Sequence, residues 1–173
     1  MNKIDVRIAK VKDDAVIPNY ATPGSACFDL VAIEDIIIPP GATAIIPTGL
    51  VVEVPEGYKL AVYARSGISA KYPLIIGNGV GQVDSDYRGE VGVIIKNIGV
   101  FSPYPVNFAI TLEGKPMETD RNVPVGSFII RKGDRIAQGA VEVALQAEFT
   151  EIDATKVSET ERDTGGFGSS GVK

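Results

Sequence analysis

The chain contains no histidine and only one cysteine, Cys27. The first absence removes Ser-His-Asp triads, Cys-His pairs, histidine general bases and histidine-ligated metals. The second removes any internal disulfide and any Cys-rich zinc site. A catalytic base must then be a carboxylate, a lysine or a tyrosine. A metal, if used, must be a hard ion held by oxygens, such as Mg2+. No apolar run approaches the roughly 18 residues of a membrane span, so no membrane partner is expected. The start, Met1 to Arg7, alternates polar and apolar residues like a first strand and lacks the apolar centre of a signal peptide. A cytoplasmic site is the expectation. Positive charge is also in short supply, with a net charge of −5. That works against nucleic-acid binding, where Lys and Arg neutralise many phosphates. One small triphosphate needs only a few local cations and backbone N–H groups.

What is present is mostly β. The 173 residues suit one domain with a sizeable core. Ile4, Val6 and Ile8 alternate with Lys3, Asp5 and Arg7, and period two recurs at Tyr58, Leu60, Val62 and Ala64 and at Val91, Val93 and Ile95. The runs Ala42–Ile46, Leu50–Val54, Ser127–Ile130 and Ala140–Leu145 are β-branched or apolar, and Pro- and Gly-containing turns separate them. Many short strands with regular turns predict a barrel or jelly roll. One short helix is predicted within Ser66–Tyr72, stopped by Pro73. Residues 99–126 hold prolines at 103, 105, 116 and 124 and read as an irregular insert or an extra hairpin between regular strands. Residues 158–173 form a polar, Gly-rich arm expected to be mobile in the free protein. The domain is therefore bounded at 1–157.

Five segments carry chemistry. Gly77-Asn-Gly-Val-Gly-Gln-Val-Asp-Ser-Asp-Tyr-Arg-Gly-Glu-Val91 brackets two aspartates and a tyrosine with glycines. It is expected to fold back as a hairpin and bring bare backbone to a flat ligand, with Asp84 holding a water and Tyr87 against a sugar. An Asp-rich turn with a packed tyrosine accounts for it equally well. Tyr63-Ala-Arg-Ser-Gly67 joins a strand to the helix. Arg65 offers a planar cation, Ser66 a hydroxyl, and the N–H groups of Gly67 and Ile68 an anion contact. The plainer reading is a helix start capped by Ser66. Lys132 to Gln138 reads as a turn and a strand, with Gln138 as a donor to phosphate. Arg162 and Phe167 stand out in the Gly/Ser arm, where an arginine can clamp phosphate and an aromatic can stack on a base. Asp29, in Gly24–Leu30, suits a solvated charge, an arginine partner or a metal-bound water.

Taken in order, Pro23–Leu30, Arg65–Lys71, Gly77–Glu90, Gly133–Gln138 and Arg162–Gly171 resemble the five motifs of the trimeric dUTP pyrophosphatase (dUTPase) family. The resemblance implies a jelly-roll homotrimer with active sites shared between subunits and the C-terminal arm closing over a neighbour. It implies hydrolysis of dUTP to dUMP and pyrophosphate, in a bacterial or phage-infected cell. Asp84 matches the base that orients water toward the α-phosphorus, and Tyr87 the ring under deoxyribose. Asn78, with Gly81 and Val83 beside it, matches the uracil-reading hairpin. Arg65, Ser66, Gly67 and Gln138 match phosphate contacts. Arg162 matches the γ-phosphate clamp, Phe167 the ring over uracil, and Gly168, Ser169 and Ser170 further arm contacts. Asp29 matches the aspartate that reaches the metal through water, and Mg2+ would be held mainly by the triphosphate.

Two departures concern packing. Cys27 stands where the family usually has Gly, and Gly139 where it has a larger apolar residue. The insert is similar to an extra segment of some phage members and reads as a surface elaboration or a contact for a regulatory protein. A dCTP deaminase of the same fold is the alternative, because Ile110-Thr-Leu-Glu113 echoes that family's glutamate motif. Here it lies in the insert, and Val91–Lys96, at the expected place, has no Glu. A nucleotide-sensing regulatory protein is the non-enzymatic alternative.

Overall fold

The computed structural model describes residues 3–166. These form thirteen strands, one short α-helix and a 3-10 turn. One sheet runs β2 (Phe28–Val31), β13 (Arg135–Val143), β6 (Tyr58–Tyr63), β8 (Gly81–Val83). A second runs β4 (Thr43–Pro47), β9 (Gly92–Asn97), β7 (Leu74–Ile76). A third runs β11 (Pro116–Pro124), β10 (Pro105–Thr111), β12 (Phe128–Ile130), β3 (Ile36–Ile38), and β1 (Arg7–Lys10) pairs with β5 (Leu50–Glu53). The sheets enclose a common core to which Leu30, Ile38, Ile46, Leu60, Leu74, Ile130 and Ile136 each contribute a side chain at most 1% exposed. Burying each such side chain is worth about 1.5–3 kcal/mol. This is the jelly-roll architecture, and the only α-helix among the described residues is α1 (Ser66–Lys71).

Two strand boundaries differ from the pattern. The first strand begins at Arg7 rather than at the chain start, because its partner β5 ends at Glu53 and Pro55 follows. A proline offers no N–H to continue a ladder. The strand expected over Ala140–Leu145 and the one expected after Lys132 are a single strand, β13, which ends at Val143.

Residues 99–126 form an extra hairpin in which β10 and β11 pair antiparallel. It does not stand apart from the barrel, since β10 adds in parallel to β12 and lengthens the third sheet. Its root is fixed by Asn97, which is fully buried. The Asn97 amide donates to the carbonyls of Ile38 and Gly126, and its oxygen accepts from Gly99 N–H, each at 2.9 Å. A buried amide so satisfied specifies one geometry, because any alternative leaves polar groups unpaired.

Candidate active site

Asp29, Gln138 and Tyr63 lie side by side on β2, β13 and β6, with Gln138 opposite Asp29 in one ladder and opposite Tyr63 in the other. Directly opposed residues project from the same sheet face. Arg65, two residues beyond Tyr63, donates its Nε to Asp29 Oδ1 at 2.9 Å. Arg135 donates to Asp29 Oδ2 at 3.0 Å, and its carbonyl accepts from Arg65 at 3.0 Å. Of the three roles open to Asp29, the structure displays the arginine partner. Both guanidiniums are thereby held by Asp29, on the sheet face that carries Gln138.

Arg135 carries no signal of its own in the sequence. Regular alternation places Arg135 and Gln138 on opposite faces, three positions apart. A register slip between Arg135 and Ala137 changes the phase and brings both to the Asp29 face. Turn composition at Gly133-Asp134 signals a turn but not this slip.

The start of α1 corrects the capping expectation. Arg65, in extended backbone, occupies the N-cap and makes no side-chain cap, while Ser66 is the first helical residue. The N–H groups of Ile68 and Ser69 both donate to the Arg65 carbonyl at 3.0 Å. Ile68 N–H is therefore not free to meet an anion, whereas Ser66 and Gly67 are exposed at the helix start.

The glycine-bracketed segment is a corner rather than a hairpin. Among the described residues β7 and β8 do not pair with each other, since β7 joins β9 and β8 joins β6. The turn between them uses Gly79 at φ +78°, and Gly79 N–H donates to the Ile76 carbonyl at 3.0 Å. The turn thus bridges two sheets and opens a cleft between them. A cavity of about 190 Å³ results, and Asn78, Gly81, Val83, Asp84 and Tyr87 all line it, with Glu90 also on its wall. Asp84 is exposed at its rim.

The segment after β8 is tied down at several points. Tyr87 N–H donates to the Asp84 carbonyl at 3.2 Å, and the Tyr87 hydroxyl donates to the Glu90 carbonyl at 3.1 Å. The ring lies directly over Gly89, where a Cβ would come within 2.5 Å of Tyr87 Cζ. Glu90, the second residue missed in the sequence, accepts from Gly49 N–H at 2.6 Å and fastens the segment to the β4–β5 turn. Arg88 donates to the Ser85 carbonyl at 2.7 Å and pairs with Glu53 at 3.2 Å.

Arg162 is exposed, and its Nε donates to the Gly165 carbonyl at 2.8 Å within the arm. No hydrogen bond or ion pair among the described residues joins it to the Asp29 cluster. Phe167, Gly168, Ser169 and Ser170 lie outside the described residues. No cluster of three or more His, Cys, Asp or Glu among the described residues could hold a metal alone. Asp29 and Gln138 do line an open cavity of about 310 Å³ with Asn19, Ser25 and Cys27, which has room for a hydrated ion brought in by a ligand. On the same sheet face, Tyr63 donates its hydroxyl to Glu142. That hydrogen bond, then burial and the Glu142 and Cys27 charges, raise the phenol's pKa above its usual range.

Gly139 has a packing reason. A Cβ there would collide with Phe28 Cε2 and lie 3.2 Å from Leu60 Cδ1, so the Phe28 ring fills the space of a larger residue. No helix among the described residues is long and apolar enough to cross a membrane.

The dUTPase family model matches residues 13–101. A deoxyuridine 5'-triphosphate nucleotidohydrolase of Wolinella succinogenes is 39% identical over 171 residues, covering 99% of this chain and 97% of its own. The Desulfitobacterium hafniense protein of the same name is 41% identical over 177 residues, covering 99% of both. Among solved structures, a mutant Staphylococcus bacteriophage 80alpha dUTPase with dUpNHpp superposes with a TM-score of 0.88 at 28% identity, covering 98% of this chain and 100% of that one. The dUTPase from phage phi11 of S. aureus, with its species-specific insert, gives a TM-score of 0.80 at 26% identity, covering 87% and 97%. The motif order, the jelly roll and these relatives agree, and the chain belongs to the dUTPase family.

Proposed function

We infer that this protein hydrolyses dUTP to dUMP and pyrophosphate by water attack on the α-phosphorus, which keeps uracil out of DNA. The observation that carries the residue assignment is the corner cavity, where Asn78, Gly81, Val83, Asp84 and Tyr87 come together on one wall. Asn78 and the turn backbone read the uracil edge, where a wrong base leaves buried polar groups unpaired. Tyr87 packs under deoxyribose and leaves no room for a 2'-hydroxyl. Asp84, at the rim, orients the attacking water and accepts its proton. Arg65, Ser66, Gly67 and Gln138 receive the phosphates, with Asp29 aligning the Arg65 guanidinium. Such positioning and charge neutralisation supply most of what phosphoryl chemistry requires.

The geometry of a single chain supports a shared site. Val62 and Leu60 oppose Gly81 and Val83, so the uridine cavity opens on the core-side face of the sheet. Tyr63, Gln138 and Asp29 project from the opposite face. One chain therefore presents its two half-sites back to back, and a homotrimer supplies the complementary halves from neighbours. In this reading the arm from residue 158 closes over the site, with Arg162 on the γ-phosphate, Phe167 over uracil and Gly168, Ser169 and Ser170 on the chain of phosphates. One neighbour, the phage phi11 dUTPase, is described as coordinating a structural Mg(II) ion. Asp29 and Gln138 line the cavity on that side, where Mg2+ carried by the triphosphate would supply charge neutralisation.

Substituting Asp84→Asn tests the base. Binding of dUpNHpp should persist while turnover of dUTP falls by at least about a hundredfold, the scale of general-base catalysis. An unchanged rate removes Asp84 from that role. Val100, Phe101 and Tyr104, at 90%, 64% and 73% exposure at the foot of the insert, favour a second role for this region as a contact for a regulatory protein. Replacing both rings with serine should then abolish a stoichiometric complex without changing dUTP turnover; a complex that survives the change removes this role.

A further inference from the structure

We propose that the turn of the inserted hairpin, through Leu112 and Glu113, positions the elements that receive the triphosphate, so that the insert is a working part of the binding site. This rests on Arg65, Ser66, Gly67 and Gln138 being the phosphate contacts. The helix α1 is six residues long and buries only Ile68. A helix of this length does not hold its place by its own cooperativity. Its N-terminal side is anchored where Arg65 meets Asp29. Its C-terminal side is anchored at Tyr72, the C-cap residue.

Tyr72 packs edge-on against Phe128, with ring centroids 5.4 Å apart, and donates its hydroxyl to the Leu112 carbonyl at 3.0 Å. The turn approaches so closely that a Cβ on Gly114 would lie 3.3 Å from that hydroxyl. The adjoining Glu113 accepts from Arg131 at 2.9 Å. That hydrogen bond and the Arg131 charge hold the Glu113 carboxyl below the usual carboxylate range. Arg131 begins the turn into β13, and its own N–H donates to Asp134 at 2.8 Å. One turn of the insert therefore touches the C-cap of α1 through Tyr72 and, through Arg131, the turn that leads into the strand bearing Arg135 and Gln138. Leu112 and Glu113 also wall a cavity of about 360 Å³ together with Arg65, Gly67, Lys71 and Arg135.

Tyr72 and Glu113 act through α1 and β13 and are positioning residues. Their removal should weaken ligands that use the β- and γ-phosphates and spare ligands that do not. The test is calorimetric binding of dUpNHpp and of dUMP, with Mg2+, to the full-length assembled protein, to Tyr72→Phe, to Glu113→Gln and to the double variant. Loss of one half-buried hydrogen bond should weaken dUpNHpp about three- to tenfold in Tyr72→Phe, with dUMP held within about twofold. The exposed Glu113 pair should contribute less alone and should add in the double variant. Unchanged dUpNHpp affinity in the double variant overturns the proposal. So does equal weakening of dUMP and dUpNHpp, which would mark a general loss of structure. A wild-type protein that neither binds dUpNHpp nor hydrolyses dUTP would instead remove the functional reading beneath it.

Discussion

Asp29 holds Arg65 by a charged hydrogen bond of 2.9 Å across 36 residues of sequence. Its other oxygen holds Arg135. Hydrogen bonds to charged groups contribute about 1.5–3 kcal/mol when neither partner is freely solvated. Asp29→Ala should therefore keep the fold and lower kcat/KM for dUTP roughly 10- to 100-fold. Steady-state kinetics with a melting curve on the same sample checks this. Full activity in a well-folded variant would show that the guanidiniums need no such alignment.

Gly89 sets the height of the Tyr87 ring. A Cβ at this position meets the ring, but the ring is 46% exposed and free to tilt away. Gly89→Ala should thus cost little stability and loosen the sugar contact. The ratio of kcat/KM for dUTP over UTP should shrink by about tenfold or more, the scale of a lost steric discrimination. An unchanged ratio would separate Tyr87 from sugar selection.

At Gly139 the structure turns a departure from the family pattern into a packing rule. Phe28 occupies the space above it. Gly139→Leu should destabilise by about 1–3 kcal/mol through overpacking, measured by urea unfolding. The same change in a Phe28→Ala background should cost less, because the two side chains then exchange volume.

Tyr63 provides a pH signature. Its folded pKa is raised, mainly by the hydrogen bond to Glu142. The sign follows: the stabilising contribution is complete below a phenol's ordinary pKa of about 10 and is lost as pH rises through the higher folded value. In a spectrophotometric alkaline titration, Tyr63→Phe should remove an ionisation step that lies above the ordinary phenol range. A curve that keeps every step above that range contradicts the assignment.

The sequence displayed those features of fold and site that depend on local pattern. Alternation at Tyr58–Val62 and Val91–Ile95 marks core strands because burial of one face forces period two. Pro73 marks the helix end, and the motif order marks the family. What it did not display depends on pairing between distant segments. Arg135 reaches Asp29 only through a register slip, Glu90 is recruited by Gly49 from another turn, and β7 and β8 go to different sheets. Ser66 looks like a cap by composition, yet extended backbone at Arg65 moves the helix start by one residue. The prolines of residues 99–126 leave an irregular insert or an extra hairpin open; the hairpin is what forms, and only its parallel pairing to β12 had no signal in the sequence.

Turnover of dUTP by the purified full-length protein with Mg2+, with UTP, dTTP and dCTP alongside and products separated, tests the central claim most directly. Equal amounts of dUMP and pyrophosphate from dUTP, with the other three nucleotides nearly inert, are the predicted result. Release of ammonia from dCTP, or no dUMP from dUTP, would contradict it.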